Sequence, residues 1–148
     1  MNNSQRHRSS RVFHHSNSAK IYTVNNYNSN NNDDLLIATY KENVTRVQEV
    51  VHKNKELIWS KDSQANLPLH VAVEKGHIEV ALYLIREFPK GSYALNYLEK
   101  SPLSIAVVNG YKDLVENMLE HLVGDSKFIH SLRKDKSLFG TITFWTIL

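Results

Sequence analysis

A chain of 148 residues holds one domain's worth of core, and its lack of cysteine excludes disulfides, thiolate metal sites and a cysteine nucleophile. No run approaches the ~20 apolar residues of a membrane helix. The net charge of +3 is uneven: residues 1–32 carry Arg6, Arg8, Arg11 and Lys20 with no acid, which leaves 14 basic and 15 acidic side chains for the remainder.

Residues 1–32 read as a disordered, basic, Asn/Ser-rich tail. Richness in Arg and Ser without acids is also what an organellar transit peptide shows. Against that, apolar residues are too few for an amphipathic face, and Asn30-Asn31-Asn32 disfavours helix. Asp33 is expected to cap a first helix running from Asp34 to Tyr40, where Asp34 suits the helix dipole. Val44, Val47, Val50 and Val51 then mark one stripe of a second helix. Pro68 suits a first helical position, Leu69 and Ala72 share a face, and Gly76 permits a tight turn. Ile78, Ala81, Leu84 and Ile85 give the next stripe, which Pro89 ends. Ser101 as cap, Gly110 as turn, Leu114, Val115, Met118 and Leu119 as stripe, and Gly124 as stop repeat the arrangement.

Thirty-four residues separate Pro68 from Pro102, Leu69 from Leu103, Ala72 from Ala106 and Gly76 from Gly110. A fixed offset of this length means a stacked array of helix pairs. Leu67–Ile85 (LPLHVAVEKGHIEVALYLI) and Ser101–Leu119 (SPLSIAVVNGYKDLVENML) resemble the ankyrin repeat, with Asp34–Val51 as a weak first copy. The resemblance covers residues 33–122, and its wording is most similar to plant ankyrin proteins of the accelerated-cell-death group. It implies an all-α solenoid of three helix-turn-helix repeats, at 33–66, 67–100 and 101–123, with helix pairs near 34–51, 68–87 and 102–122. The copies depart from the pattern at Leu67 (for a capping Thr), Ala65 (for a hairpin Gly) and Ser104 (for the signature His). Residues 124–148 are expected to form an atypical tail, with Ser137-Leu138-Phe139 the trace of a degenerate fourth repeat. Leu138–Leu148 is apolar and β-leaning. Relatives continue into a membrane domain, so truncation of such a gene is one reading.

Eight histidines invite a metal or general-base role. The resemblance makes His70 a structural bridge between repeats and His77 part of a Gly-His turn. His7, His14 and His15 fall in the tail, and His52, His121 and His130 lack the close partners of a built site, His52 having only Glu56. No H-E-x-x-H, phosphate-binding Gly loop or G-x-S-x-G occurs. Neither catalysis nor any cofactor or metal is expected. Trp59 is expected to pack over the end of the first repeat, and Tyr83 within the stack.

What remains is surface. Carried over position by position, the recognition face of such arrays comprises Tyr40, Lys41, Ser63, Gln64, Asn66, Glu74, Lys75, Tyr97, Leu98, Lys100, Val108 and Asn109. Tyr97, Leu98 and Val108 are apolar where solvent is expected, unless the C-terminal tail covers them. The expected function is non-catalytic protein–protein interaction, which the resemblance places in plant stress or immune signalling. The protein would be cytoplasmic, or held at the cytosolic face of a membrane by association with relatives. The alternatives are a targeted or nucleic-acid-associated protein acting through the basic tail, with Phe13, Tyr22 and Tyr27 as stacking groups, or a gene fragment without its own role.

Overall fold

The computed structural model describes residues 32–134. The N-terminal tail reading and the trace of a fourth repeat at Ser137–Phe139 therefore lie outside the described residues.

Among the described residues seven helices follow in order: α1 (Asn32–Tyr40), α2 (Val44–Lys53), α3 (Pro68–Lys75), α4 (Ile78–Glu87), α5 (Pro102–Val108), α6 (Lys112–Leu122) and α7 (Ser126–Lys134). Short 3-10 turns at Lys55–Trp59 and Pro89–Tyr93 follow α2 and α4. The caps explain the starts. The Asn43 side chain accepts from the Arg46 amide at 3.0 Å, and Ser101 Oγ accepts from the Ser104 amide at 3.1 Å. Ser104 Oγ in turn accepts from the Ser101 amide at 2.9 Å, which closes a reciprocal box. Asp33 lies inside α1 rather than at its cap, and Asp34 meets Arg46 of α2 at 3.1 Å.

The helices stack in two rows, α1-α3-α5 and α2-α4-α6, each helix packing against its neighbours in the row and its partner in the pair. The 34-residue offset becomes columns of buried side chains. Leu35, Leu69 and Leu103 form one, Ala38, Ala72 and Ala106 another, and Val50, Leu84 and Met118 a third. Burying each leucine stabilises by about 2 kcal/mol. The alanines let backbones of the first row approach closely, where any larger side chain would separate them.

Tails of the pattern behave differently. After Gly124, where an atypical tail was expected, α7 forms because Asp125 Oδ1 accepts from the amides of Lys127 (2.9 Å) and Phe128 (3.4 Å). Phe128 is buried and its ring meets that of Tyr93 at 5.8 Å, while Tyr93 Oη donates to Asp125 at 3.3 Å. Desolvation opposes the Asp125 charge, but those amides and the Tyr93 hydroxyl together hold its carboxyl below the usual carboxylate range. Trp59 packs its ring, tilted by 56°, against that of Phe88 at the end of α4, centroids 4.1 Å apart, joining the first repeat to the second while staying half exposed.

Candidate protein-interaction face

The loops between helix pairs place the residues that the sequence nominates. In one loop the Asp62 amide donates to the Asn66 carbonyl at 3.1 Å, and in the next the Asn96 amide donates to the Lys100 carbonyl at 3.0 Å, the same closure one period later. Ala65 and Glu99 take φ of 60° and 57° there, a left-handed conformation that usually selects glycine. The two loops are tied by the Tyr97 amide, which donates to the Gln64 carbonyl at 3.0 Å.

A ladder of side-chain amides lies beneath the tips. Asn96 Nδ2 donates to Asn66 Oδ1 (2.8 Å), and Asn66 Nδ2 donates to Asp62 Oδ2 (3.0 Å). Asp62 Oδ1 also accepts from the amides of Gln64 and Asn66, both at 2.8 Å. Asn66 is thereby drawn inward to 8% exposure, which corrects its assignment to the recognition face. Its two neighbours in the ladder explain the burial, since an amide with both ends bonded gains nothing by turning to water.

His70 is fully buried and both ring nitrogens are used. Nδ1 accepts from the Leu67 amide at 3.0 Å, which fixes Nε2 as the donor to the Lys100 carbonyl, also at 3.0 Å. The ring therefore sets the start of α3 where Leu67 offers no acceptor, and joins that helix to the loop leading into α5. Burial pushes its pKa below the ordinary imidazole value, against the pull of backbone carbonyls and Asp62. Ser104 is too short for that bridge and bonds only within its own cap. His77 joins repeats in the other direction, Nδ1 donating to the Thr39 carbonyl at 2.9 Å.

The remaining nominated residues fall in register on one side. Tyr40, Glu74 and Val108 occupy equivalent helix ends, as do Lys41, Lys75 and Asn109, and Lys75 Nζ lies 4.7 Å from the centre of the Tyr40 ring. Tyr40 and Gln64 are half-buried, and Lys41, Ser63, Glu74, Lys75, Lys100 and Asn109 are exposed. Tyr97, Leu98 and Val108 are 76%, 66% and 84% exposed. Leu95, which sequence reasoning passed over, is 55% exposed in the same loop. Its signal was available, because Leu95 stands 34 residues after the lysine at 61.

Among the described residues no three His, Asp or Glu side chains gather as a metal site would require, and no helix is long and apolar enough to cross a membrane. Against known proteins, the family model for three copies of ankyrin repeats matches residues 35–129. The NAD-dependent deacetylase sir2B of Dictyostelium discoideum is 31% identical over 110 residues, 74% of this chain but 14% of that protein. The chain thus spans a small part of that relative's length. With the helix pairs, the 34-residue columns and the matched span in agreement, the chain belongs to the ankyrin-repeat family.

Proposed function

We propose that the chain is a non-catalytic protein-interaction module whose recognition face runs along Tyr40, Lys41, Gln64, Glu74, Lys75, Tyr97, Leu98, Lys100, Val108 and Asn109. Ankyrin repeats generally bind proteins, and one observation supports a weighting within this face. Moving one period along the array turns Lys61, Ser63, Gln64 and Glu74 into Leu95, Tyr97, Leu98 and Val108, all four exposed. A wholly polar set becomes wholly apolar. Such groups on a rigid scaffold gain desolvation energy on binding while losing little entropy.

The double variant Tyr97→Ala with Val108→Ser, compared with the wild type in pull-downs from source extract, is expected to lose partner capture with its helical circular dichroism intact. Retention of every partner by a folded variant would move the recognition surface elsewhere.

The wording of the second and third repeats supports a finer placement, in plant stress or immune signalling beside membrane-anchored relatives. Co-purification of the tagged chain with such a relative from plant tissue is the corresponding test. The deacetylase activity in the amoebal relative's name is not carried over, because the match is confined to 14% of that protein.

A further inference from the structure

We infer that Asn109-Gly110, in the turn between α5 and α6, is a spontaneous deamidation site whose conversion puts a carboxylate into the recognition face beside Val108. That the conversion regulates recognition rests on the proposed function, whereas the chemistry of the dipeptide does not.

Deamidation is fastest at Asn-Gly, because no side chain on the second residue hinders its amide nitrogen. The pair occurs once in the chain. Elsewhere in the array asparagines are held and hindered. The side chains of Asn43, Asn54, Asn66 and Asn96 all form hydrogen bonds, and each precedes a larger residue. Asn109 is exposed, and among the described residues its side chain has no hydrogen-bond partner. A β-carbon built on Gly110 would meet nothing within 4 Å, whereas at the equivalent Gly76 it would meet Tyr111. This turn therefore has room for the ring that the reaction makes.

Water is the only co-reactant. The Gly110 nitrogen attacks Cγ of Asn109, its proton leaves with Nδ2 as ammonia, and a succinimide closes. Water then opens the ring at either carbonyl. Opening at Cγ leaves aspartate. Opening at the main-chain carbonyl leaves isoaspartate, with the backbone rerouted through the side chain.

The fold sets the rate. Asn109 sits at φ −81° and ψ −5°, the Gly110 amide donates to the Val107 carbonyl at 3.1 Å, and the Tyr111 amide donates to the Ala106 carbonyl at 2.9 Å. These bonds form the Schellman closure of α5. They hold the attacking nitrogen turned away from Cγ, so it must rotate about the Asn109 Cα–C bond before the ring can close. Conversion thus proceeds through brief opening of the turn, the kind of local opening that exposed backbone permits. The new charge lies at the C-terminal end of α5, where the helix dipole disfavours it, and beside Val108, which a partner would desolvate.

Trypsin isolates the site. The fragment Ser101–Lys112 (SPLSIAVVNGYK) contains Asn109 as its sole side-chain amide, so a mass change from amide to acid reports this position alone. In the full chain kept in warm, mildly alkaline buffer, the fragment is expected to convert and split into two chromatographic forms. The isoaspartate form should accept a methyl group from S-adenosylmethionine through an isoaspartyl methyltransferase. Conversion should be several-fold slower than in the free synthetic fragment, and should accelerate several-fold in urea below the unfolding transition. Asn109→Gln, which cannot close a five-membered ring, should abolish the mass change with helical circular dichroism retained. In pull-downs from source extract, Asn109→Asp should capture several-fold less of the proteins that the wild type retains.

No conversion over a period in which the free fragment converts completely would overturn the site. Equal rates in chain and fragment, or a rate in the chain that urea leaves unchanged, would overturn its gating by the turn. Undiminished capture by Asn109→Asp would overturn its regulatory role. The recognition reading fails separately: retention of every partner by Tyr97→Ala/Val108→Ser sinks it, while the mass change still decides the deamidation site.

Discussion

Thr39 occupies the place in α1 that Val73 and Val107 hold in the later repeats, and its hydroxyl is buried without a partner among the described residues. Desolvating an unpaired hydroxyl costs about 1–3 kcal/mol, so Thr39→Val, which keeps the shape, should raise stability by about 1 kcal/mol in urea unfolding. His70 gives the opposite case, a polar group with every bond made. Its native form is neutral and its folded pKa lies below the usual 6.5, so below that pH the unfolded chain binds a proton that the native chain refuses. Stability from this residue is present above about pH 6.5 and lost as pH falls toward the folded pKa. His70→Ser, the residue that the third repeat carries, should cost about 2 kcal/mol near neutrality and flatten the slope of stability between about pH 7.5 and about pH 5.5. An unchanged slope would mean that another group governs the acid limb.

At the scale of elements, the turns between paired helices separate strain from crowding. Gly76 and Gly110 both hold left-handed backbone, at φ 72° and 73°, and alanine is strained at either. Only at Gly76 would the new methyl also meet a neighbour, Tyr111 Oη at 2.9 Å. Gly76→Ala should therefore cost more than Gly110→Ala, and Tyr111→Phe should erase the difference in a double-mutant cycle. The alanine columns make a parallel contrast. Ala72→Phe or Ala106→Phe should cost about 3 kcal/mol by forcing helices apart. Lys75→Phe, exposed and losing only its contact with the Tyr40 ring, should stay within about 1 kcal/mol by thermal melting.

Across the molecule, the paired helices and their columns were legible because each is written three times at one spacing, and the loop positions because they are written twice, so position alone carried the pattern. Asn66 was misjudged for a physical reason: its inward turn depends on Asn96, 30 residues away, and no local pattern encodes that pairing. Helix α7 was missed because it falls outside the 34-residue spacing, although an ordinary signal marks it, Gly124-Asp125 ahead of a stripe through Phe128. Trp59 was expected over the end of its own repeat, and the partner it found is Phe88 of the next. Ordering by repeat also sets stability, since each pair touches only its neighbours. Among the described residues, the middle repeat is the one with a helix pair on either side.

The left-handed backbone at Glu42, Ala65 and Glu99 has a consequence at the level of the gene. Glycine at any of the three should relieve about 1 kcal/mol of strain. Every codon for glutamate or alanine becomes a glycine codon through a change of its middle base alone. Three stabilising steps therefore lie next to the present sequence in mutational space, untaken, as expected of a lineage in which selection ceases to reward stability beyond a working threshold.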